Sequence, residues 1–297
     1  MASEMMGILV SMIEDMQGDS DYESNDFEAM RAAVDEMSQS QPVSDGVHID
    51  GGTLGGVETE LLRSEGCQDG IALIYIHGGA FITGSARDSR GYASNLAAQT
   101  CFPVWTLSYR CCPEHPFPAA PDDCFSVYRA IVDSHPDWNI VLVGESAGAT
   151  LCLDVAILAR REHVRMPDLL CLFSPLTELA EELSSRRFNA ENDHCVRADI
   201  NTDMKRLYCP EADSTDELLS PLRTDFAGFP PMQITVDSGE ILLDDALCLA
   251  RRAKEAGVDV HLSVFDGCFH AFPTTGTVTE EGSRILGETS ALIDSIR

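Results

Sequence analysis

Ile140-Val141-Leu142-Val143-Gly144-Glu145-Ser146-Ala147-Gly148 is the stretch that decides the fold. Its first four residues form a short apolar run, as a strand buried on both faces requires. From Ala147 to Arg160 the sequence reads as a helix. A serine between such a strand and such a helix sits on a tight turn, in backbone angles that only small neighbours permit. Gly144 and Gly148 supply that room, so the Ser146 hydroxyl is expected to stand above the sheet edge. The helix start then aims its free amides and positive dipole end at the same spot.

The same grammar extends in both directions. Ile71–Ile76, Val104–Tyr109, Leu169–Phe173 and Met232–Val236 read as strands, and Val258–Phe265 alternates as a final one. Pro121–Asp133 reads as a helix whose apolar side is Phe125, Val127, Tyr128 and Ile131. Asp244–Ala256 is a helix stopped by Gly257, with Arg251, Arg252 and Lys254 near its end, where cations suit the dipole. Ser283–Ile296 closes the chain as a helix. Strands alternating with helices predict an α/β fold with a mostly parallel central sheet and helices on both faces. Two regions depart from this rhythm. Residues 1–45 read as helical and acidic, with Phe27, Met30, Val34 and Met37 at helical spacing. Glu178–Ser220 is polar and partly helical, between two core strands, where an inserted cap would sit. Gly51-Gly52-Thr53-Leu54-Gly55-Gly56 reads as a hairpin turn between two strand-like pieces. It is not a phosphate loop, because no Lys-Ser/Thr follows and no helix begins there.

Composition narrows the partners. Asp and Glu number 49 against 20 Lys and Arg, a formal charge of −29, and Lys205 and Lys254 are the lysines. Such a polyanion repels phosphate backbones and anionic lipid, which argues against nucleic acid and membrane surfaces. The acidity is otherwise a device for solubility or for salty surroundings. The segment Met1–Ser11 has no cationic start, and its apolar run is broken by Gly7, against a secretory signal. No stretch reaches the roughly 18 apolar residues of a membrane span. The 11 cysteines include no CxxC pair. Their odd number forbids complete intramolecular pairing, so they read as reduced thiols, and a cytoplasmic location is expected. No spacing suggests a metal site.

A serine hydroxyl is a weak nucleophile until a base removes its proton. His270, in Gly267-Cys268-Phe269-His270-Ala271-Phe272, lies just beyond the last strand. Serine, acid, then histidine is the chain order that enzymes with a nucleophile elbow use. An acid to orient the imidazole belongs in the loop after Val236, where Asp237, Glu240, Asp244 and Asp245 are the candidates. Asp244 and Asp245 suit a helix first turn, and Asp237 suits a turn former. His77-Gly78-Gly79-Ala80-Phe81 follows the first buried strand. Amides of Gly78, Gly79 and Ala147 are expected to hold an oxyanion, each worth about 3 kcal/mol to a transition state.

From about residue 27 to the C-terminus, these motifs resemble the hormone-sensitive-lipase-like branch of the α/β-hydrolases. The resemblance rests on HGGAF (77–81), YRCCPEHPFPAAPDD (109–123), GESAG (144–148), SPLTEL (174–179), SPLRTDFAGFPP (220–231), GEILLDD (239–245) and GCFHAF (267–272). It implies Ser146 as nucleophile, His270 as base and Gly78, Gly79 and Ala147 as oxyanion donors. The family's acid, usually Asp, falls on Glu240, four residues before Asp244. Ala80 stands where the family has a third glycine, with little effect expected because the amide remains, and Glu145 stands for the more usual Asp. The resemblance further implies a helical cap, built from residues 1–45 and a segment near 178–208, over a catalytic domain spanning 46–297. Met5, Met6, Met12 and Phe27 become candidates for lining its pocket. The expected activity is a serine esterase acting on small or short-acyl esters without metal or organic cofactor. A lactone, amide or carbamate would be attacked by the same residues, and a non-catalytic binding protein on this scaffold is the competing class. Relatives are often dimers, which leaves a homodimer open.

Overall fold

The buried runs do become strands, and their alternation divides the core in two. The structure, a computed structural model, describes residues 2–16, 26–39 and 41–297. Among these, eight strands form one sheet: β1 (Val47–Leu54), β2 (Val57–Ser64), β3 (Ile71–Ile76), β4 (Val104–Leu107), β5 (Asn139–Glu145), β6 (Leu169–Phe173), β7 (Met232–Asp237) and β8 (Val260–Phe265). The spatial order is β1-β2-β4-β3-β5-β6-β7-β8. From β4 to β8 neighbouring strands are parallel, while β2 runs antiparallel to both β1 and β4.

Successive side chains of a strand face opposite sides of the sheet. Ala72, Ile74, Ile76, Ile140 and Leu142 therefore enter one core, and Ile71, Leu73, Tyr75, Val141 and Val143 the other. The first core is covered by α4 (Ala119–Ser134), α5 (Ala147–Arg161) and α8 (Leu243–Glu255). The second is covered by α3 (Arg90–Thr100) and α9 (Glu280–Ser295), and Met6 of α1 (Glu4–Met16) is fully buried there. No described helix is long and apolar enough to cross a membrane. All 11 cysteines are free thiols.

One local reading changes, and one helix has no counterpart in the sequence pattern. Gly51 to Leu54 belong to β1, and the turn itself is Gly55-Gly56, with Leu54 paired to Val57 across it. Both glycines have positive φ (57° and 87°), the conformation of a two-residue hairpin turn that matches strand twist. A side chain at Gly55 would meet the Ser126 carbonyl at 2.5 Å, so the turn also needs the missing Cβ for packing. Helix α3 carries no readable apolar stripe. Gly91, Tyr92, Ala93, Ser94, Asn95, Leu96, Ala97 and Thr100 are all buried, so polar and apolar sides do not separate.

Between β6 and β7 lie α6 (Ser185–Phe188) and α7 (Ile200–Leu207), inside the segment expected near 178–208. Before β1 lies α2 (Phe27–Gln39); residues 17–25 of the expected N-terminal helical region are outside the described residues. A buried ion pair helps fasten the 178–208 segment to the core. Arg186 Nη2 donates to both Asp245 oxygens at 3.0 and 2.9 Å, and both side chains are fully buried. Asp245 also accepts the amides of Thr177 (2.7 Å) and Glu178 (3.1 Å). Breaking a buried pair leaves an uncompensated charge, so Arg186→Met is expected to cost about 3–5 kcal/mol. Urea unfolding of Arg186→Met beside Arg186→Met/Asp245→Leu measures this. The double variant removes the stranded charge but also the acceptor of the Thr177 and Glu178 amides, so it should regain only part of the loss, and a single variant as stable as the parent would refute the fastening role.

Candidate active site

Ser146 sits between β5 and α5 with φ 54° and ψ −123°, in left-handed territory that a side chain rarely occupies. Its amide donates to the Phe173 carbonyl at 2.9 Å, tying the turn to β6. The flanking glycines are demanded by contact. A Cβ on Gly148 would lie 2.1 Å from the Ile76 carbonyl oxygen and 2.5 Å from that of His77. A Cβ on Gly144 would lie 2.6 Å from the Gly148 carbonyl oxygen. The first turn of α5 thus crosses hard against the end of β3, which brings the Ser146 turn beside the His77–Phe81 turn.

His270 comes from the loop after β8. Its Nδ1 is 2.7 Å from Glu240 Oε2, and Ser146 and His270 line one cavity of about 240 Å³. Glu240 is itself held: Oε1 accepts from the Ser174 hydroxyl and from the Asp237 amide, both at 2.7 Å. Burial pulls the His270 pKa down, but the hydrogen bond and charge of Glu240 outweigh it, so the imidazole ends above its ordinary 6.5.

The other acids after β7 are placed elsewhere. Asp237 accepts the amides of Gly239 and Cys268, each at 2.9 Å, and so joins the β7 turn to the histidine loop. Asp244 accepts the Ser185 amide at 2.8 Å, and Asp245 holds Arg186.

At the turn after β3, one expectation is corrected. The Gly78 amide donates to Glu145 Oε1 at 2.6 Å and is not free for an oxyanion. Among the described residues the Gly79 and Ala80 amides donate to no group, and neither does that of Ala147 at the head of α5. The turn takes positive φ at Gly79 (95°), Ala80 (54°) and Phe81 (60°), and Gly79 and Ala80 both line the cavity of Ser146 and His270. Ala80 therefore replaces Gly78 as the amide available beside Gly79. Burial pushes the Glu145 carboxyl up to about 7, against the lowering effect of Tyr75 and the Gly78 amide.

The cavity walls include Met30 of α2, Ile82, Leu176 and Leu242, with Val196, Arg197, Ile200 and Asp203 from the 178–208 segment. The expected methionines are not there: Met5 and Met12 are exposed, Met6 is in the core, and Phe27 packs against the other core cluster. Among the described residues no three His, Cys, Asp or Glu side chains converge as metal ligands.

Ser174 was missed by sequence reasoning. Its hydroxyl donates to Glu240 and accepts the Ala271 amide at 3.0 Å, so one side chain ties the acid to the residue beside His270. It begins the SPLTEL motif, but nothing in a lone serine after a strand reveals the partner 66 residues away.

A family model described as alpha/beta hydrolase fold matches residues 73–274. An esterase from Acinetobacter venetianus is 30% identical over 270 residues, which are 90% of this chain and 89% of that protein. An acetyl-hydrolase from Streptomyces hygroscopicus is 33% identical over 228 residues, 76% of each chain. Among solved structures, a hormone-sensitive lipase from a metagenome library superposes with a TM-score of 0.90 at 30% identity and 98% coverage of both chains.

Ser174→Ala removes a hydrogen bond to a charged group, worth about 1.5–3 kcal/mol. Its expected effect is a loss of roughly tenfold or more in kcat with KM little changed, read from ester hydrolysis kinetics. Equal loss in a variant at an unrelated surface serine would remove this role.

Proposed function

The chain belongs to the hormone-sensitive-lipase-like branch of the α/β-hydrolase family, and from that premise we propose that it is a serine carboxylesterase for small, short-acyl esters. It is an ester hydrolase. The finer reading rests on one observation: the Glu240-held imidazole of His270 shares a single cavity with Ser146.

In this reading His270 takes the Ser146 proton as the oxygen attacks the ester carbonyl. The amides of Gly79, Ala80 and Ala147 receive the negative charge on the carbonyl oxygen, at about 3 kcal/mol of transition-state stabilisation per donor. His270 then passes its proton to the leaving alcohol, and an acyl group remains on Ser146. Water attacks that acyl carbon, gives a proton to His270, and the Ser146 oxygen leaves as a hydroxyl, releasing the acid. Glu240 stays ionised throughout, orienting the ring and stabilising its charged form.

The substrate class follows from the cavity. Its volume of about 240 Å³ lies below the roughly 300–1,000 Å³ of pockets that take drug-sized ligands. Residues 178–208 and α2 act as the cap that closes it. The Streptomyces relative is called an acetyl-hydrolase, which agrees with a compact acyl group. The formal charge of −29 further disfavours anionic esters.

Hydrolysis of p-nitrophenyl esters tests the reading. Acetyl to butyryl esters should turn over faster than decanoyl. Ser146→Ala should fall to background, and Glu240→Gln should lose about 10³- to 10⁴-fold in kcat, as when a triad acid loses its charge. Asp237→Asn, which keeps Glu240 on His270, should retain most activity. Ser146→Ala with parental turnover would end the proposal.

The pH dependence has a definite sign. The base works only when neutral, and its pKa is raised, so kcat/KM should fall tenfold per pH unit below a midpoint lying above 6.5. A midpoint well below 6.5 would contradict the Glu240–His270 coupling.

A further inference from the structure

Behind the turn after β3 lies a second cavity, of about 250 Å³, under α2. Among the described residues, three of its lining side chains carry a buried polar atom that completes no hydrogen bond: His77 Nε2, Tyr92 Oη and Glu145 Oε2. They come from three separate elements, and burial without a partner is costly for each.

Their chemistry is complementary. His77 Nδ1 lies 2.8 Å from the Gly78 carbonyl, so the proton is on Nδ1 and Nε2 presents a bare lone pair. Burial drives the His77 pKa down to about 4, which keeps the ring neutral. Glu145 commits Oε1 to the Gly78 amide; Oε2 completes no hydrogen bond of its own, although the Tyr75 hydroxyl acts on the carboxyl from the same cavity wall, and it remains a second acceptor for a small donor. Tyr92 offers a hydroxyl that can donate. Two acceptors and one donor are the complement of a water molecule, which donates two hydrogen bonds and accepts others.

The second cavity is also next to the first. Gly78, Gly79, Thr83, Glu145 and Thr274 line both, so only this short turn and its neighbours separate them. An ester seated in the first cavity fills space that water would otherwise occupy beside Ser146, yet the acyl-enzyme still needs water. We propose that the second cavity is a water-binding chamber, held by His77, Tyr92 and Glu145, from which the water that cleaves the acyl-enzyme is drawn. The inference rests on the acyl-enzyme reading above. In the step it feeds, the water oxygen bonds to the acyl carbon, one water proton passes to His270 and then to the Ser146 oxygen, and the acyl–Ser146 bond breaks.

Two variants test it from different sides. Tyr92→Phe removes one water partner without changing the shape of the ring. Val34→Trp places bulk at the wall contributed by α2, away from the core. Each is mixed with p-nitrophenyl butyrate, quenched in acid during steady turnover, and weighed intact by mass spectrometry for the fraction of chain carrying butyrate. Rapid mixing reports the rate of acylation on the same samples. The chamber predicts unchanged acylation and deacylation slowed about fivefold, the effect of one hydrogen bond of about 1 kcal/mol. The butyrylated fraction then rises about fivefold, or to saturation. Titration of Ser146 with a fluorophosphonate counts the folded sites, so misfolding cannot imitate this result. An unchanged butyrylated fraction in both variants, or acylation and deacylation falling together, overturns the chamber. Parental ester turnover by Ser146→Ala instead overturns the acyl-enzyme reading itself.

Discussion

The structure depends on a close crossing. Where α5 begins, Gly148 lies so near the carbonyls of Ile76 and His77 that a methyl group would overlap them. That contact locks the head of α5 onto the end of β3, and three consequences follow from the single constraint. Ser146 is forced to a positive φ, which lifts its side chain off the sheet edge. The Ala147 amide is left without a partner among the described residues at the head of the helix. The His77–Phe81 turn, with its cavity-lining Gly79 and Ala80, is brought beside the serine. Nucleophile and oxyanion donors are thus positioned by backbone packing, which is stiffer than any set of side-chain contacts.

The acid and base are assembled differently, from loops that the sheet only anchors. Glu240 follows β7 and His270 follows β8, strands paired in parallel, so both loops leave the same edge. Parallel pairing alone gives nearness, not registration. Registration comes from small polar ties: Asp237 to the Cys268 amide, Ser174 to Glu240 and to the Ala271 amide. Loss of one such tie leaves the fold intact but lets the imidazole drift, which is why activity is expected to be more sensitive here than stability.

Those differences explain what could be read beforehand. Strands β3, β5, β6 and β7 announced themselves because burial on both faces requires an unbroken apolar run, and the glycine–serine–glycine turn carries its own steric signature. Glu240 could be separated from Asp237 only through the resemblance, since two acids in one turn look alike until their hydrogen bonds are seen. Helix α3 was invisible because burial on nearly every side erases amphipathic periodicity. The Gly78 amide looked free because nothing local reveals that Glu145, 67 residues later, reaches back to it. The longer glutamate has the reach for this contact. Pocket-lining methionines were misplaced for a related reason: helical spacing tells which residues share a face, not which neighbour that face meets.

An excess of 29 negative charges ought to trouble a site built around carboxylates. It does not, because those carboxylates take the partners they have from the chain's own amides, hydroxyls and imidazole rather than from scarce cations. Glu145 takes the Gly78 amide, Asp237 takes those of Gly239 and Cys268, and Glu240 takes the Asp237 amide, the Ser174 hydroxyl and the His270 ring. Arginine is spent elsewhere, as struts: Arg31 joins α2 to the Ile82 and Cys112 carbonyls, Arg110 grips Asp123, and Arg186 grips Asp245. Backbone amides are fixed in place and are screened far less than mobile surface charges, so the acid–base pair is insulated from the charge on the surface. The surface can then be as acidic as solubility or salt demands while the chemistry beneath keeps its own electrostatics.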